Sequence, residues 1–227
     1  MIFTILAMTG LTILCYVGGK WLYSRFPYPF LLPLVTSTVL LLMVLYVADI
    51  QYNDYLDGAG WLESLIGIAV VALAYPLYKQ LPILKKYSLP LLVGTAVGSI
   101  VGVISTLILS SLFGFNEEII VSLLPKSVTT AVALDLAEAF GGQTSLTAIL
   151  VTVAGITGTV LYPYCCKLFR IHHVVGRGVG VGSASHAIGT AKALEYSELE
   201  GAISTVAMTL CALMVSVIIP ISIFLWF

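Results

Sequence analysis

Two lysines of this chain lie inside polar segments that interrupt long apolar stretches. Lys126 follows a proline in the sequence Leu-Pro-Lys-Ser, and Lys192 ends a segment rich in glycine, serine and alanine. A charged side chain at membrane depth costs several kcal/mol unless it faces a cavity or a partner. These two lysines are therefore the first candidates for a binding site.

The side chains around both lysines favour the binding of a small anion. Helix N-termini beginning near Ser127 and Ser183 would supply unpaired backbone amides and positive dipole ends. Ser185, Gly189 and Lys192 fall on one helical face at positions i, i+4 and i+7. We expect a small carboxylate as the ligand, bound by Lys126, Ser127, Thr129, Thr130, Ser183, Ser185, His186 and Lys192.

Three ionisable residues are candidates for carrying a coupled proton. His186 belongs to the residue type that ordinarily titrates near physiological pH. Asp135 and Glu138, at positions i and i+3, could carry protons or balance the lysines. A structural role also fits each residue: Lys126 could pair with Asp135 or Glu138, and His186 could donate to a carbonyl of a neighbouring helix.

The composition indicates the class of protein that contains these segments. Hydrophobic residues make up 59% of the 227 residues and charged residues 9%, and the mean hydropathy is +1.07. An ordinary soluble domain is roughly 25% charged. We predict an all-α, multi-pass membrane protein with a single transmembrane domain over residues 1–227, in contact with lipid. The net charge of −1 argues against a nucleic-acid partner.

The apolar pattern predicts about six full transmembrane helices and two broken ones. The six expected spans are 2–19, 31–48, 61–78, 89–112, 146–164 and 202–227, of which those within residues 1–112 form a scaffold. The first broken segment, 117–140, is interrupted by Pro125, which removes a backbone donor. In the second, 174–196, we expect irregular backbone through the alternating glycines 176–182 and a helix from Ala184 onward.

The charge pattern predicts the orientation of the chain. Basic residues cluster between the apolar stretches, as is typical of cytoplasmic loops; the clusters are Lys20 and Arg25, then Lys79, Lys85 and Lys86, then Lys167, Arg170 and Arg177. The segments 49–63 and 116–118 are acidic, so the N-terminus is expected outside the cytoplasm. This pattern favours a re-entrant path for 117–140 and leaves a broken full crossing as the alternative.

The two broken segments resemble each other in sequence. Ser127-Val-Thr-Thr-Ala-Val-Ala aligns with Ser183-Ala-Ser-His-Ala-Ile-Gly, and Pro163 and Pro220 follow at nearly the same distance. If the two segments begin from opposite sides, they form an inverted repeat, in which transporters build a site from broken helices. The stripe Gly94, Gly98 and Gly102 predicts close helix packing within the bundle or at a dimer contact.

The sequence offers no pattern for a cofactor or for catalysis. Cys165, Cys166, His172 and His173 lack the separated ligand pairs of a metal motif. The alternating glycines match no nucleotide-binding loop, and no nucleophile, base and orienting group have a catalytic spacing. We therefore expect no metal, no cofactor and no enzymatic activity.

Three stretches carry a resemblance to a known family. They are Leu-Pro-Lys-Ser-Val-Thr-Thr at 124–130, Gly-Ser-Ala-Ser-His-Ala-Ile-Gly-Thr-Ala-Lys at 182–192 and Ala-Leu-Ala-Tyr-Pro-Leu-Tyr-Lys at 72–79. These motifs resemble the LrgB/CidB family of bacterial membrane proteins, and the resemblance covers nearly the whole chain. It implies an antiholin-like regulator of murein hydrolases in the cell membrane, acting with a small LrgA/CidA-type membrane protein.

The same resemblance implies transport, because relatives include a bacterial pyruvate uptake system and the plastidic glycolate/glycerate translocator. Two functions therefore compete. The first is an alternating-access carrier of small monocarboxylates such as pyruvate, glycolate or lactate. The second is a holin-like pore or regulatory protein that acts through oligomerisation. The sequence favours the carrier, because a pore made by self-association does not require two charged helix breaks in each subunit.

Overall fold

The computed structural model describes residues 2–26, 28, 31–72 and 74–227, and these residues form helices joined by short connections. The chain divides into two compact units, Met1–Ala72 and Leu73–Phe227. The candidate site lies in the second unit.

The first unit contains four helices. They are α1 (Ile2–Arg25), α2 (Pro33–Val47), α3 (Tyr52–Ala59) and, after a 3₁₀-helix (Gly60–Glu63), α4 (Ser64–Ala72). Gly58 of α3 approaches α1 so closely that a methyl group there would lie 2.7 Å from the Thr4 carbonyl oxygen. Thr12 of α1 and Tyr55 of α3 share a hydrogen bond of 3.0 Å.

The second unit begins with two short helices and continues with longer ones. The short helices are α5 (Ala74–Lys79) and α6 (Leu81–Lys86); then follow α7 (Ser88–Leu112), α8 (Glu117–Leu123), a 3₁₀-helix (Leu124–Ser127), α9 (Thr130–Ala139), α10 (Thr144–Leu168), α11 (Val174–Tyr196) and α12 (Glu198–Trp226). Buried apolar side chains join α7, α8, α10 and α12, among them Val103, Ile120, Val151 and Val215.

Four helices of the described residues are long and apolar enough to cross a membrane. They are Thr4–Arg25, Ser88–Leu112, Thr144–Leu168 and Glu198–Trp226. The 15-residue helix α2 is apolar but shorter. The predicted third span, 61–78, is divided among the 3₁₀-helix, α4 and α5, and Leu73 between the last two lies outside the described residues. The prediction of an all-helical protein with apolar spans is confirmed.

Candidate functional site

The first broken segment folds as two helical arms with a break beyond the proline. Asn116 caps α8 by accepting a hydrogen bond from the Ile119 amide (3.0 Å). Pro125 lies in the 3₁₀-helix that extends α8, where its missing donor is tolerated. The backbone becomes extended only at Val128 and Thr129, with ψ angles of 175° and 148°. The helix resumes as α9.

The two ends of this segment lie side by side. The Gln143 amide donates to the Ser122 hydroxyl (2.7 Å), and the Gln143 side chain donates to a Glu118 carboxylate oxygen (3.0 Å). Thr147, in the first turn of α10, donates to the Ser122 carbonyl (3.1 Å). Residues 117–140 therefore form a hairpin, here named the first hairpin, which begins and ends at the same end of α10.

The second broken segment is also a hairpin, but its break falls at His186. This residue has φ 40° and ψ −133° inside α11, and it separates a first arm from a second arm. The base of this second hairpin (174–196) is closed by Arg177, which lies over the Tyr196 ring at 5.2 Å. The Tyr87 and His173 rings meet nearby at 5.6 Å. We call this end of the bundle, which carries Lys79, Lys167 and Arg170, the basic side.

The expectation that residues 176–182 are irregular is wrong, because this glycine-rich stretch is helical. Gly178 and Gly182 are one turn apart and pack against α12. A methyl group on Gly178 would lie 2.6 Å from Ile203, and one on Gly182 would overlap the Ser204 carbonyl. This close backbone packing offsets the poor helix propensity of glycine.

The other two glycines of the stretch face the opposite way. Gly176 and Gly180 line a groove of about 560 Å³ between the first arm of α11 and α7. The groove begins near Tyr87 and His173 on the basic side and reaches Ser183 near the tip. The alternating glycines thus form two i, i+4 pairs: Gly178 and Gly182 pack against α12, and Gly176 and Gly180 line the groove.

Both hairpin tips reach the glycine stripe near the middle of α7. A methyl group on Gly98 would lie 3.3 Å from the Ser183 hydroxyl, and one on Gly102 would lie 3.9 Å from the Ser127 hydroxyl. Because these glycines are one helical turn apart, the two serines lie along the same face at levels separated by about 6 Å. The predicted packing of this stripe within the bundle is confirmed, and its partners are the hairpins.

Lys126 lies half-buried at the tip of the first hairpin. Its ammonium donates to the hydroxyl of Thr106 on α7, and Thr106 in turn donates to the Gly102 carbonyl (2.7 Å). Asp135 and Glu138 are exposed on α9. The ion pairs among the described residues join Lys79 to Glu198, Arg177 to Glu200 and Lys192 to Glu195, so neither acid of α9 neutralises Lys126.

His186 is 3% exposed and its ring contacts α10. The Nε2 atom lies 3.1 Å from the Val151 carbonyl oxygen. A carbonyl can only accept, so Nε2 is the donor in this contact, as the structural interpretation of His186 expected. Gly155 leaves room for the ring, because a methyl group there would lie 2.6 Å from Nε2. A positive φ at a non-glycine residue stores roughly 1–3 kcal/mol of strain and is typical of functional positions.

Ser185, the neighbour of His186, has a buried hydroxyl without a partner. It is 1% exposed and forms no hydrogen bond to the described residues. It points at Gly158 of α10, where a methyl group would overlap it. Buried polar atoms are nearly always satisfied, so an orphaned hydroxyl beside a strained residue is suited to a ligand or a water molecule.

Lys192 does not share a helical face with Ser185, because the break at His186 puts the two residues in different arms. That prediction is wrong. Lys192 instead contacts Glu195, with Nζ 2.5 Å from a carboxylate oxygen, and lies 5.5 Å from the centre of the Tyr196 ring. The helix start expected near Ser183 is likewise absent, since Ser183 is inside the first arm. Thr129 precedes α9, and Thr130 is exposed in its first turn.

One polar cluster was missed by sequence reasoning. Arg177, assigned to a cytoplasmic loop, lies in the first arm of α11 and pairs with the buried Glu200 of α12. Tyr162 of α10 donates to the same carboxylate. The signal available in the sequence was the position of these two charges: Arg177 lies inside the predicted segment 174–196, and Glu200 lies just before the predicted span 202–227.

This architecture defines a class of protein: an all-helical membrane bundle in which two hairpins meet on one helix. The model of the LrgB-like family matches residues 12–225, and the chain belongs to that family. A Bacillus subtilis (strain 168) protein, "Uncharacterized protein YxaC", is 46% identical over 95% of this chain and 94% of its own length. "Holin-like protein CidB" of Staphylococcus aureus (strain Mu50 / ATCC 700699) is 33% identical over 98% and 97%. No solved structure is significantly similar to the chain.

Proposed function

We propose that this protein carries small monocarboxylates of the pyruvate, glycolate and lactate type across the bacterial cytoplasmic membrane by alternating access. The observation that carries the proposal is the meeting of two hairpins, based at opposite ends of the bundle, on the glycine stripe of α7. Broken helices that converge near the bilayer midplane are the usual site of ions and substrates in transporters.

In this proposal the two hairpins are inverted counterparts. The first hairpin is followed by α10 and the second by α12, and both following helices contain a proline. Six spans, with α2 and the α4–α5 pair as the shorter ones, would place the N-terminus outside the cytoplasm under the positive-inside rule. The basic side is then cytoplasmic, and the groove beside the second hairpin is the route from that side to the tips.

The proposed site recognises one carboxylate and leaves space for a short carbon chain. Lys126 supplies the positive charge, while Ser127 and the uncapped start of α9 supply donors. Ser185 adds its orphaned hydroxyl from the second hairpin. Lys192, near the base of that hairpin, would attract the anion rather than hold it. The proposal assigns the protein no catalytic activity.

A holin-like or regulatory function is the second candidate, and the name of the Staphylococcus aureus relative favours it. In that case the chain would act on murein hydrolases together with a small LrgA/CidA-type membrane protein or as a homo-oligomer. The two candidates differ in flux. A carrier has a saturable site, whereas a pore passes solutes in proportion to concentration.

The test is initial uptake of labelled pyruvate into vesicles that contain the full chain, measured against concentration with and without the small partner protein. We expect saturation, competition by glycolate and lactate, and loss of uptake in Lys126→Ala. Lys79→Ala is the matched control, because this lysine is exposed and should leave uptake unchanged. Linear flux with leakage of a larger dye would instead establish a pore, and absence of flux in every condition would refute the carrier.

A further inference from the structure

The cluster at the base of the second hairpin contains a buried acid that the proposed carboxylate site does not use. Glu200 is 2% exposed and lies in the first turns of α12. One of its carboxylate oxygens accepts from the Tyr162 hydroxyl and lies 3.3 Å from the Arg177 guanidinium. An ionisable group buried in a membrane helix is expensive and marks a functional position by default.

The groups around Glu200 come from α10 and from both arms of α11. Arg177 and Tyr196 come from the two arms of α11, and Tyr162 comes from α10, which also places Cys166 beside the cluster. Arg177 Nε donates to the Tyr162 hydroxyl (3.1 Å). Two further ion pairs lie at the rim: Lys79 with Glu198, and Lys192 with Glu195. Glu200 and Arg177 are therefore each other's ionic partners among the described residues.

This cluster connects the elements that a movement of the second hairpin would separate. Arg177 belongs to the first arm, Tyr196 ends the second arm, and Glu200 and Tyr162 belong to the long helices that flank them. Farther toward the tip, Ser204 of α12 is 0% exposed, because Gly182 of the first arm packs on its backbone and Thr190 of the second arm shares its hydroxyl (2.8 Å). The hairpin covers Ser204 while the cluster holds.

We propose that Glu200 is a proton-binding site and that its ion pair with Arg177 is a latch holding the base of the second hairpin closed. A hydronium ion in the water on the basic side transfers a proton to the carboxylate: one of its O–H bonds breaks, an O–H bond forms on Glu200, and a water molecule is left. The neutral carboxyl no longer attracts the guanidinium. The Arg177 side chain is already 28% exposed, so the cation turns to water and the first arm is free to leave α12.

The reverse step returns the proton to the same water and restores the pair. This inference deepens the proposed function and rests on it in one respect, since it treats the second hairpin as an element that moves during transport. The proton then controls when the groove and the hairpin tip become accessible from the basic side.

The test measures exposure of Ser204 and needs no substrate. The full chain, with Cys15, Cys165, Cys166 and Cys211 replaced by serine and with Ser204→Cys as reporter, is placed in lipid nanodiscs. The rate of labelling by a hydrophilic maleimide is measured between about pH 5 and pH 8.5, which covers ordinary and raised carboxyl pKa values. Dividing the rate of each variant by that of the parent at the same pH cancels the thiol's own pH dependence.

We expect Glu200→Gln, which mimics the protonated acid, to be labelled about 5-fold or more faster than the parent at high pH and equally fast at low pH. Glu198→Gln, changed two residues earlier at an exposed position, should match the parent throughout. Returning the parent from low to high pH should restore slow labelling. A ratio near one for Glu200→Gln at every pH would overturn the latch.

Tyr162→Phe is a second variant that keeps the packing of the ring. Loss of one donor to the carboxylate favours its protonated form, so labelling should begin to increase at a higher pH than in the parent. An unchanged profile would contradict the proposal even if Glu200→Gln failed to fold. Normal pyruvate uptake without pH-dependent labelling would refute the latch alone, whereas absent uptake with this labelling pattern would refute the carrier alone.

Discussion

Two neighbouring glycines of α11 provide a sharp test of the second hairpin. Gly180 faces the groove, and a methyl group there would have no atom within 4 Å. Gly182 faces α12, where a methyl group would overlap the Ser204 carbonyl and lie 2.9 Å from its Cα. We predict that Gly180→Ala stabilises the protein and that Gly182→Ala destabilises it relative to Gly180→Ala.

The magnitude follows from two opposing contributions. Alanine is favoured over glycine in a helix by about 0.8–1 kcal/mol, and both variants gain this equally. Carbon atoms in contact are separated by about 3.5–4.0 Å, so Gly182→Ala forces the first arm and α12 apart by roughly 1 Å. Overpacking of this kind costs about 1–3 kcal/mol, so the two variants should differ in their free energy of unfolding by that amount.

The free energy of unfolding is measured by denaturant titration of the protein in detergent micelles, with both variants compared in the same conditions. Because the propensity gain is common to both, their difference reports the contact with α12 alone. Equal stabilities would refute the packing of Gly182 on Ser204. They would agree instead with an irregular glycine loop, which is what the sequence pattern indicated.

Two further predictions concern the hairpin tips. Thr106→Val removes the hydroxyl that accepts from Lys126. A hydrogen bond to a charged group is worth about 1.5–3 kcal/mol, so pyruvate uptake should fall about 10-fold or more. Thr209→Val, which removes a hydroxyl that donates to the Thr205 carbonyl within α12, should leave uptake near that of the parent, and equal uptake in both variants would contradict the prediction. Gly155→Ala should displace the His186 ring from the Val151 carbonyl and lower the free energy of unfolding by about 1–3 kcal/mol. Gly10→Ala, whose added methyl group would meet no atom within 4 Å, should be neutral or stabilising in the same titration. Equal free energies of unfolding for the two variants would mean that the His186 ring does not lie against Gly155.

The sequence predicted the features that depend on local chemistry. The lengths of the apolar stretches identified the long helices, and Pro125 indicated the first break. The proline itself lies in a 3₁₀-helix, so the break occurs slightly later, at Val128 and Thr129. The convergence of Lys126 and Ser127 with the second segment on the glycine stripe of α7 was not visible from spacing alone. It depends on which helix each hairpin packs against.

The second break could not be located from the sequence because glycine has two opposite effects on helices. A glycine weakens an isolated helix, yet it also permits backbones to approach closely. Only the presence of α12 decides that Gly178 and Gly182 permit close packing. The helix therefore continues through them, and the break lies at His186, where the sequence has no glycine or proline to indicate it. Similarly, the sequence pattern assigned Arg177 to a cytoplasmic loop, because only the fold shows that it forms an ion pair with the buried Glu200.

The short arms of the hairpins constrain how this protein is made. The first arm of α11 before His186 and the second arm after it are each too short to cross a hydrocarbon core of about 30 Å, and both end in polar groups. Neither can be inserted into lipid as an independent span. The principal contacts of the second hairpin are with α12, which is synthesised after both arms of that hairpin. Completion of the second hairpin therefore has to wait until α12 has left the ribosome, and truncation within α12 would remove the helix against which that hairpin packs.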